Sequence, residues 1–306
     1  FLRLTRVMSD ILGAGEPPTD VAEARRLLVG RLRDAGLPSP EADALQLLEA
    51  ALGVERATLL LRPDRPLEAE ERERLAGLLE RRLAREPLQL IVGHAPFYGL
   101  ELAVAPGVLI PRPETERLVE LVLEELKGRT AYGARPADAP PLLLDVGCGT
   151  GAIALALKAE LPAAEVWATD LAPEALALTR RNAAELGLEV TVRASDLLAD
   201  PEVARAAARC AALVSNPPYL PEADRGRLAP EAAADPDAAL FGGADGLAVA
   251  RRLVAQAERL LPHGALLALE LDPRNAPALA GELTAWRDVR VAADLVGRER
   301  FVLARR

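Results

Sequence analysis

Apolar residues recur every three or four positions from residue 18 to 84: at Val21, Ala24, Leu27, Leu28 and Leu32, at Ala44, Leu45, Leu48, Ala51 and Leu52, and at Leu75, Leu78, Leu79 and Leu83. That is the repeat of a helix with one buried face, so the stretch predicts a small helical bundle, its first helix ending near Gly36. The charged runs Glu70-Glu71-Arg72-Glu73-Arg74 and Arg81-Arg82 read as solvated helix faces. From Pro87 to Val104 the pattern changes to β-type residues (Ile91, Val92, Phe97, Tyr98, Leu100, Leu102, Val104) broken by Gly93, Pro96 and Gly99, which predicts a hairpin linker. Pro113 suits a first helical turn and Glu114 and Glu116 suit its positive end, predicting a helix to about Leu126. Gly128 to Pro141, rich in Ala, Pro and Gly, reads as a loop.

Beyond it, short apolar runs alternate with helical periods. Strands are predicted at 142–146, 165–169, 189–193, 212–215 and 265–271, with helices at 151–159, 173–186 and 246–260 and closing strands near 289–292 and 300–303. Repeated β-α units imply an α/β fold with a doubly wound, mainly parallel sheet whose ligands bind at the carboxyl ends of the strands. The expected domains are an N-terminal extension at 1–17, a helical docking domain at 18–86, the β-hairpin linker at 87–108 and the sheet domain at 109–306.

Composition narrows the functional classes. Half of the 306 residues are apolar, yet no apolar run approaches the roughly 18–20 residues of a bilayer span. No signal-peptide pattern opens the chain, and the lone Met8 points to residues 1–7 as an extension ahead of the natural start. Cys148 and Cys210 are too few for a disulfide framework, so a reducing cytoplasm is expected. His94 and His263 have no partners at ligand spacing, so no metal is expected. A net charge of −9 argues against a phosphate backbone as the main partner.

The chemistry concentrates where the strand before residue 216 stops at Asn216-Pro217-Pro218-Tyr219. Two prolines carry no N–H for a ladder, so the tetrapeptide is a stiff loop past the strand end. Its carbonyls are free acceptors, the Asn216 side-chain oxygen adds another, and Tyr219 offers a flat face. A planar –NH2 laid there donates one hydrogen to Asn216 and one to the Pro217 carbonyl, which suits alkylation of an amide or an exocyclic amine. Asn and Pro are also ordinary turn formers, so the loop gains meaning from a second motif.

That motif is Asp145-Val146-Gly147-Cys148-Gly149-Thr150-Gly151, at the first strand-to-helix turn. Gly147, Gly149 and Ala152 also satisfy the looser dinucleotide pattern, but the early Gly151 and the leading Asp145, whose carboxylate complements an ammonium or sulfonium, favour S-adenosylmethionine. Asp170 at the next strand end is placed for ribose hydroxyls. Asp196, ending the third strand, is placed for the adenine amino group, with the Leu197 backbone nearby. Each acid alone is as readily a cap or turn residue; three at successive strand ends beside a glycine turn point to a cofactor.

With these motifs in place, the chain from about residue 20 resembles the HemK/PrmC protein-(glutamine-N5) methyltransferases. The likeness rests on 89–99 with Phe97-Tyr98-Gly99, Ile110-Pro-Arg-Pro-Glu-Thr-Glu116, the 145–151 turn, 216–219, 239–247 and 294–300. It implies a class I (Rossmann-like) methyltransferase domain behind a helical docking domain. It also implies that Gly147 to Gly151, including Cys148 and Thr150, with Asp170, Leu197 and Asn216, contact S-adenosylmethionine. Asn216 to Tyr219, with Phe97, Pro111 and Arg112, would hold the glutamine of the Gly-Gly-Gln loop of a class-1 peptide-chain release factor. Asn216, Pro217 and Tyr219 would be the catalytic residues. Departures are Asp272-Pro273-Arg274-Asn275, where the family usually has Gly and then Gln, and Asp235-Pro236 for the commoner Glu-Pro. Rival readings are a nucleic-acid amino methyltransferase, a glutamine methyltransferase of a ribosomal protein, and an NAD-linked enzyme or cofactor-binding module.

Overall fold

The computed structural model describes residues 17–127 and 140–306. Residues 1–16 of the expected extension and most of the 128–141 loop lie outside the described residues. The chain divides into two compact units, residues 1–93 with 230–234, and 94–229 with 235–306.

The first unit is helical, as the periodicity predicts: Val21–Asp34, Pro40–Leu52 and Ala69–Leu83, with short helices Arg56–Leu61 and Leu88–Val92 between and after. Leu28, Leu32, Leu47, Leu48, Leu75 and Leu79 form its core. Its unusual feature is a buried ion pair. Arg82 Nε donates to Asp43 Oδ2 at 2.8 Å, and Arg82 Nη1 also reaches the Glu86 carbonyl and Glu231 Oε1. The expected linker from Pro87 is corrected by the structure. Leu88–Val92 is a helical turn closed by Gly93 in the left-handed conformation, and only β1 (His94–Phe97) and β2 (Leu100–Ala103) form the hairpin. Ile91 and Val92 suggested a strand, but five residues are too few for periodicity to separate the two.

The second unit holds a seven-stranded sheet of β3 (Leu142–Val146), β4 (Glu165–Asp170), β5 (Thr191–Ala194), β6 (Ala212–Ser215), β7 (Leu266–Glu270), β8 (Arg287–Ala293) and β9 (Glu299–Arg305). The order is β5-β4-β3-β6-β7-β9-β8. The first five strands are parallel to their neighbours, whereas β9 runs antiparallel to β7 and β8. Order reverses between β3 and β6, the switch point where such sheets open a crevice.

Side chains alternate between two cores, the period-2 consequence of the pleat. Leu143, Ala212, Val214, Leu266, Ala268 and Phe301 face the helices Pro113–Lys127 and Ala152–Glu160. Leu142, Leu144, Leu213, Leu267, Leu269 and Val302 face Pro201–Ala207, Ala248–Leu260 and Ala276–Glu282. Carried past the apolar residues, the same alternation puts Asp145, Asn216 and Glu270 on the first face.

Replacing Asp43 by Ala strands the Arg82 guanidinium in the helical unit with only its lesser partners, and is expected to lower stability by about 3 kcal/mol. Urea unfolding followed by circular dichroism measures this.

Candidate active site

β3 turns through Gly147–Gly151 into the helix Ala152–Glu160. The N–H groups of Gly147 and Cys148 both donate to the Thr169 carbonyl, at 2.8 and 2.9 Å, tying the turn to the end of β4. A Cβ on Gly151, at φ 85°, would stand 2.9 Å from Thr179 Cγ2, so only glycine closes this turn without displacing that side chain. From the helix Pro173–Leu186, Thr179 donates to the Gly149 carbonyl at 3.0 Å and Asn182 donates to the Thr150 carbonyl at 2.9 Å. Cys148 lies buried with Sγ 3.4 Å from Thr179 Oγ1, and burial pushes its thiol well above the ordinary range. It is a neutral packing group, not a nucleophile.

The three acids take different places. Asp170 accepts the Gly149 N–H on one oxygen and the Ala172 N–H on the other, both at 2.9 Å. A carboxylate has about four lone-pair sites, so two remain for hydroxyl donors. Asp196 is half exposed and paired with Arg252 at 2.7 Å; such an exposed pair contributes only about 0–1 kcal/mol and yields readily to a ligand. Asp145 departs from the expectation that it meets a cationic ligand. It is 1% exposed and lies behind the turn, on the face covered by the helix. Its Oδ2 accepts the Ala154 N–H at 3.1 Å, and its Oδ1 has no partner among the described residues. Burial raises its carboxyl to about 7.

A cavity of about 540 Å³ opens at the switch point. Of the residues singled out in the sequence, Phe97, Pro111, Arg112, Gly147, Cys148, Gly149, Thr150, Asp170, Asp196, Leu197, Asn216 and Pro218 line it. Asp145, Gly151, Pro217 and Tyr219 are not among its lining residues. Phe97 reaches the cavity from within the core, only 1% exposed. Leu197 holds φ 56°, a conformation a leucine adopts at a cost of order 1–3 kcal/mol and one that clusters at ligand sites. Arg112 is bound to the buried Asp235, whose other oxygen accepts the Ile110 N–H at 3.1 Å. The Asp-Pro variant thus pins the Ile110-Pro-Arg segment.

The 216–219 loop is braced from behind. Tyr219 and Leu220 donate their N–H groups to the Leu240 carbonyl, and Asn275 Nδ2 donates to the Tyr219 carbonyl at 3.0 Å. The Asp272–Asn275 departure therefore supplies a loop contact of its own. A Cβ on Gly242 would collide with the Pro218 carbonyl, and one on Gly246 with the Tyr219 carbonyl, which explains the glycines of 239–247. Tyr219 packs its ring against the second core, where burial raises its phenol. Pro217 is buried, and nothing among the described residues donates to its carbonyl. Asn216 Nδ2 donates to Thr115 Oγ1 at 3.2 Å, and its Oδ1 likewise has no donor among the described residues. Both acceptors at the end of β6 thus lack a donor among the described residues, and of the two residues Asn216 lines the cavity.

Sequence reasoning missed Thr115, Glu270 and Arg252. Thr115 was legible only as part of a motif, and Arg252 as one of many arginines. Glu270 had a signal, a lone acid ending the apolar run Ala265–Leu269. It is 0% exposed, and burial raises its carboxyl to about 7 against the opposing pull of the Thr115 hydroxyl and Arg300.

Comparison with known proteins places these features. A family model described as the PrmC N-terminal domain matches residues 23–93, and one described as the methyltransferase small domain matches 136–240. A release factor glutamine methyltransferase of Deinococcus radiodurans is 50% identical over 277 residues, covering 90% of this chain and 95% of the relative. One of Koribacter versatilis is 38% identical over 276 residues, covering 90% and 94%. Among solved structures, the hMettl16 catalytic domain in complex with the MAT2A 3'UTR hairpin 6 superposes with a TM-score of 0.53 at 16% identity, covering 68% of this chain and 75% of that one. At that identity the likeness speaks for the fold alone.

Two outcomes follow from the geometry. Gly246→Ala sets a Cβ against the Tyr219 carbonyl in a left-handed conformation, and is expected to cost at least about 1–3 kcal/mol in thermal unfolding, with loss of activity. The second concerns pH. The Asp145 carboxyl is raised when folded, so between about pH 4 and 7 the native state holds a proton that the unfolded chain has released. Its contribution therefore falls as pH rises through that window. In Asp145→Asn this loss is absent, so urea midpoints at pH 5 and 8 should shift in the variant's favour at the higher pH.

Proposed function

The chain belongs to the release factor glutamine methyltransferase family, and from that premise we propose that it transfers a methyl group from S-adenosylmethionine to the side-chain amide nitrogen of the glutamine in the Gly-Gly-Gln loop of class-1 release factors. The observation that carries this reading is Asn216 in the cavity lining beside the glycine turn at the switch point of the sheet, its Oδ1 without a donor among the described residues, followed in the chain by the Pro217 carbonyl, which likewise has none. A primary carboxamide has two hydrogens to match them.

The residues suit the cofactor. The turn presents Gly147 to Thr150 to the cavity, Asp170 keeps lone pairs for ribose hydroxyls, and Asp196 with the Leu197 backbone stands where adenine would lie. When bound, S-adenosylmethionine would supply an electrophilic methyl carbon, its S–C bond breaking as the N–C bond forms so that S-adenosylhomocysteine leaves. The chain's own work is orientation. Asn216 and Pro217 each accept one amide hydrogen, which turns the nitrogen lone pair away from its carbonyl and fixes its direction. An amide nitrogen is a poor nucleophile, and alignment of reactants is worth roughly 7–11 kcal/mol at best. As the new N–C bond forms the nitrogen becomes positive, so both acceptors bind more strongly in the transition state than before it. The displaced proton leaves to solvent, since no His or Cys thiolate stands at the loop. The helical unit is the part proposed to grip the body of the release factor.

Purified protein given labelled S-adenosylmethionine should methylate a release factor at the Gly-Gly-Gln glutamine, located by tandem mass spectrometry. Label entering rRNA, tRNA or DNA instead would replace this reading with the nucleic-acid one. Asn216→Ala should lose turnover while cofactor affinity, read by calorimetry, stays near that of the parent; equal losses in both would remove Asn216 from the proposed role.

A further inference from the structure

The Asn216 amide can serve as proposed only if its oxygen, not its NH2, faces the substrate. Rotating the group by half a turn exchanges the two and would present donors to donors. Nothing in Asn216 itself decides the matter, and its one side-chain partner among the described residues, the Thr115 hydroxyl, can either donate or accept.

The decision is made one residue further back. The β6–β7 ladder pairs Val214 with Ala268 and Ser215 with Leu269, so the next step of the same register sets Asn216 beside Glu270. The period-2 alternation turns both onto the face covered by the helix Pro113–Lys127, which carries Thr115. Glu270 is fully enclosed, with Arg300 Nη1 at 3.9 Å and neither oxygen in a formed hydrogen bond among the described residues. The Thr115 hydroxyl favours the ionised carboxyl against the larger effect of burial. A buried, unsatisfied carboxylate costs several kcal/mol in general, so a site that keeps one beside its main ligand calls for a role.

Resting on the methyl-transfer reading above, we propose that Glu270 is a positioning residue: it takes the single Thr115 hydroxyl proton, leaves Thr115 Oγ1 able only to accept, and so obliges Asn216 to turn its NH2 inward and its oxygen toward the substrate amide. Burial raises the Glu270 carboxyl to about 7, so above that pH it is ionised, has no proton to give, and the relay runs in one direction. The substitution Glu270→Gln keeps the shape but offers a donor as well as an acceptor, and the direction is lost. The substitution Thr115→Val removes the link outright.

Kinetics and a structural probe test this together. With release factor as substrate, Glu270→Gln and Thr115→Val should each lower kcat by roughly 10- to 100-fold, the scale of a misplaced reacting group, with KM for S-adenosylmethionine unchanged. The double variant should be no worse than either single one, because both cut the same relay. Thr115→Ser should recover most of what Thr115→Val loses. Parental kcat in Glu270→Gln, or losses that multiply in the double variant, would overturn the relay. A parent that methylates nucleic acid rather than release factor would overturn the substrate reading instead, and the same variants then run on that substrate. Independently of turnover, protein labelled with 15N-asparagine should show the Asn216 side-chain NH2 protected from solvent exchange in the parent and exposed in both single variants. Equal protection in all three would also defeat the proposal.

Discussion

Parallel pairing at one level is the constraint on which the site depends. β3, β4, β6 and β7 end together, and their register leaves no freedom as to which side chains stand at the edge: Asp145 and Val146 on β3, Asp170 on β4, Ser215 then Asn216 on β6, Glu270 on β7. A slip of one residue in β6 would turn Asn216 to the opposite face and expose the Val214 side of the core. Ser215 reinforces that register, since its hydroxyl donates to the Val146 carbonyl across the β3–β6 step at 2.6 Å. The apolar layers that fix strand position therefore also fix the chemistry at the strand ends.

A rigid sheet edge is not enough, because the acceptor pair lies on the loop beyond it. Proline supplies local stiffness, but the direction of the loop comes from the later segment 239–247, which runs beside it in a parallel bridge between Leu220 and Phe241. Gly242 and Gly246 allow that segment to approach the Pro218 and Tyr219 carbonyls more closely than any side chain permits, and Asn275 closes the other side. The loop is thus held as a sheet strand is held, by backbone partners, although its own prolines lack the N–H groups to build a ladder. In that arrangement nothing among the described residues donates to the Pro217 carbonyl.

What was legible in the sequence divides along the same line. Strand and helix positions in the α/β unit followed from periodicity, and the glycine turn and the Asn-Pro-Pro-Tyr loop from local rules of backbone geometry. Short helices were missed although one announced itself: Asp200 caps Pro201–Ala207 through the N–H groups of Glu202 and Val203, with Pro201 in the first turn. Asp145 was read as facing a ligand because strand-end acids often do; its true side depends on which face the Ala152–Glu160 helix covers. Thr115 and Glu270 could not have been joined to Asn216, being about 100 and 50 residues away along the chain, until the β6–β7 register was known. Local chemistry is written in the order of residues, whereas shared faces are written in the pairing of strands.

The placement of the two buried acids bears on why this edge is built as it is. Asp145 and Glu270 both sit on the helix-covered face, each pushed to about 7 chiefly by burial. Held ionised above that pH, each opposes folding by something on the order of 3–4 kcal/mol, a large share of the 5–15 kcal/mol typical of a domain. An apolar residue of similar size would relieve that cost, as replacing buried charges often does. It would also remove the acceptor for the Ala154 N–H in one case and the acceptor proposed for the Thr115 hydroxyl in the other. The sheet edge therefore tolerates instability where a fixed direction of hydrogen bonding is needed, and the extensive apolar layers of β3, β6, β7 and β9 supply the stability that makes this tolerable.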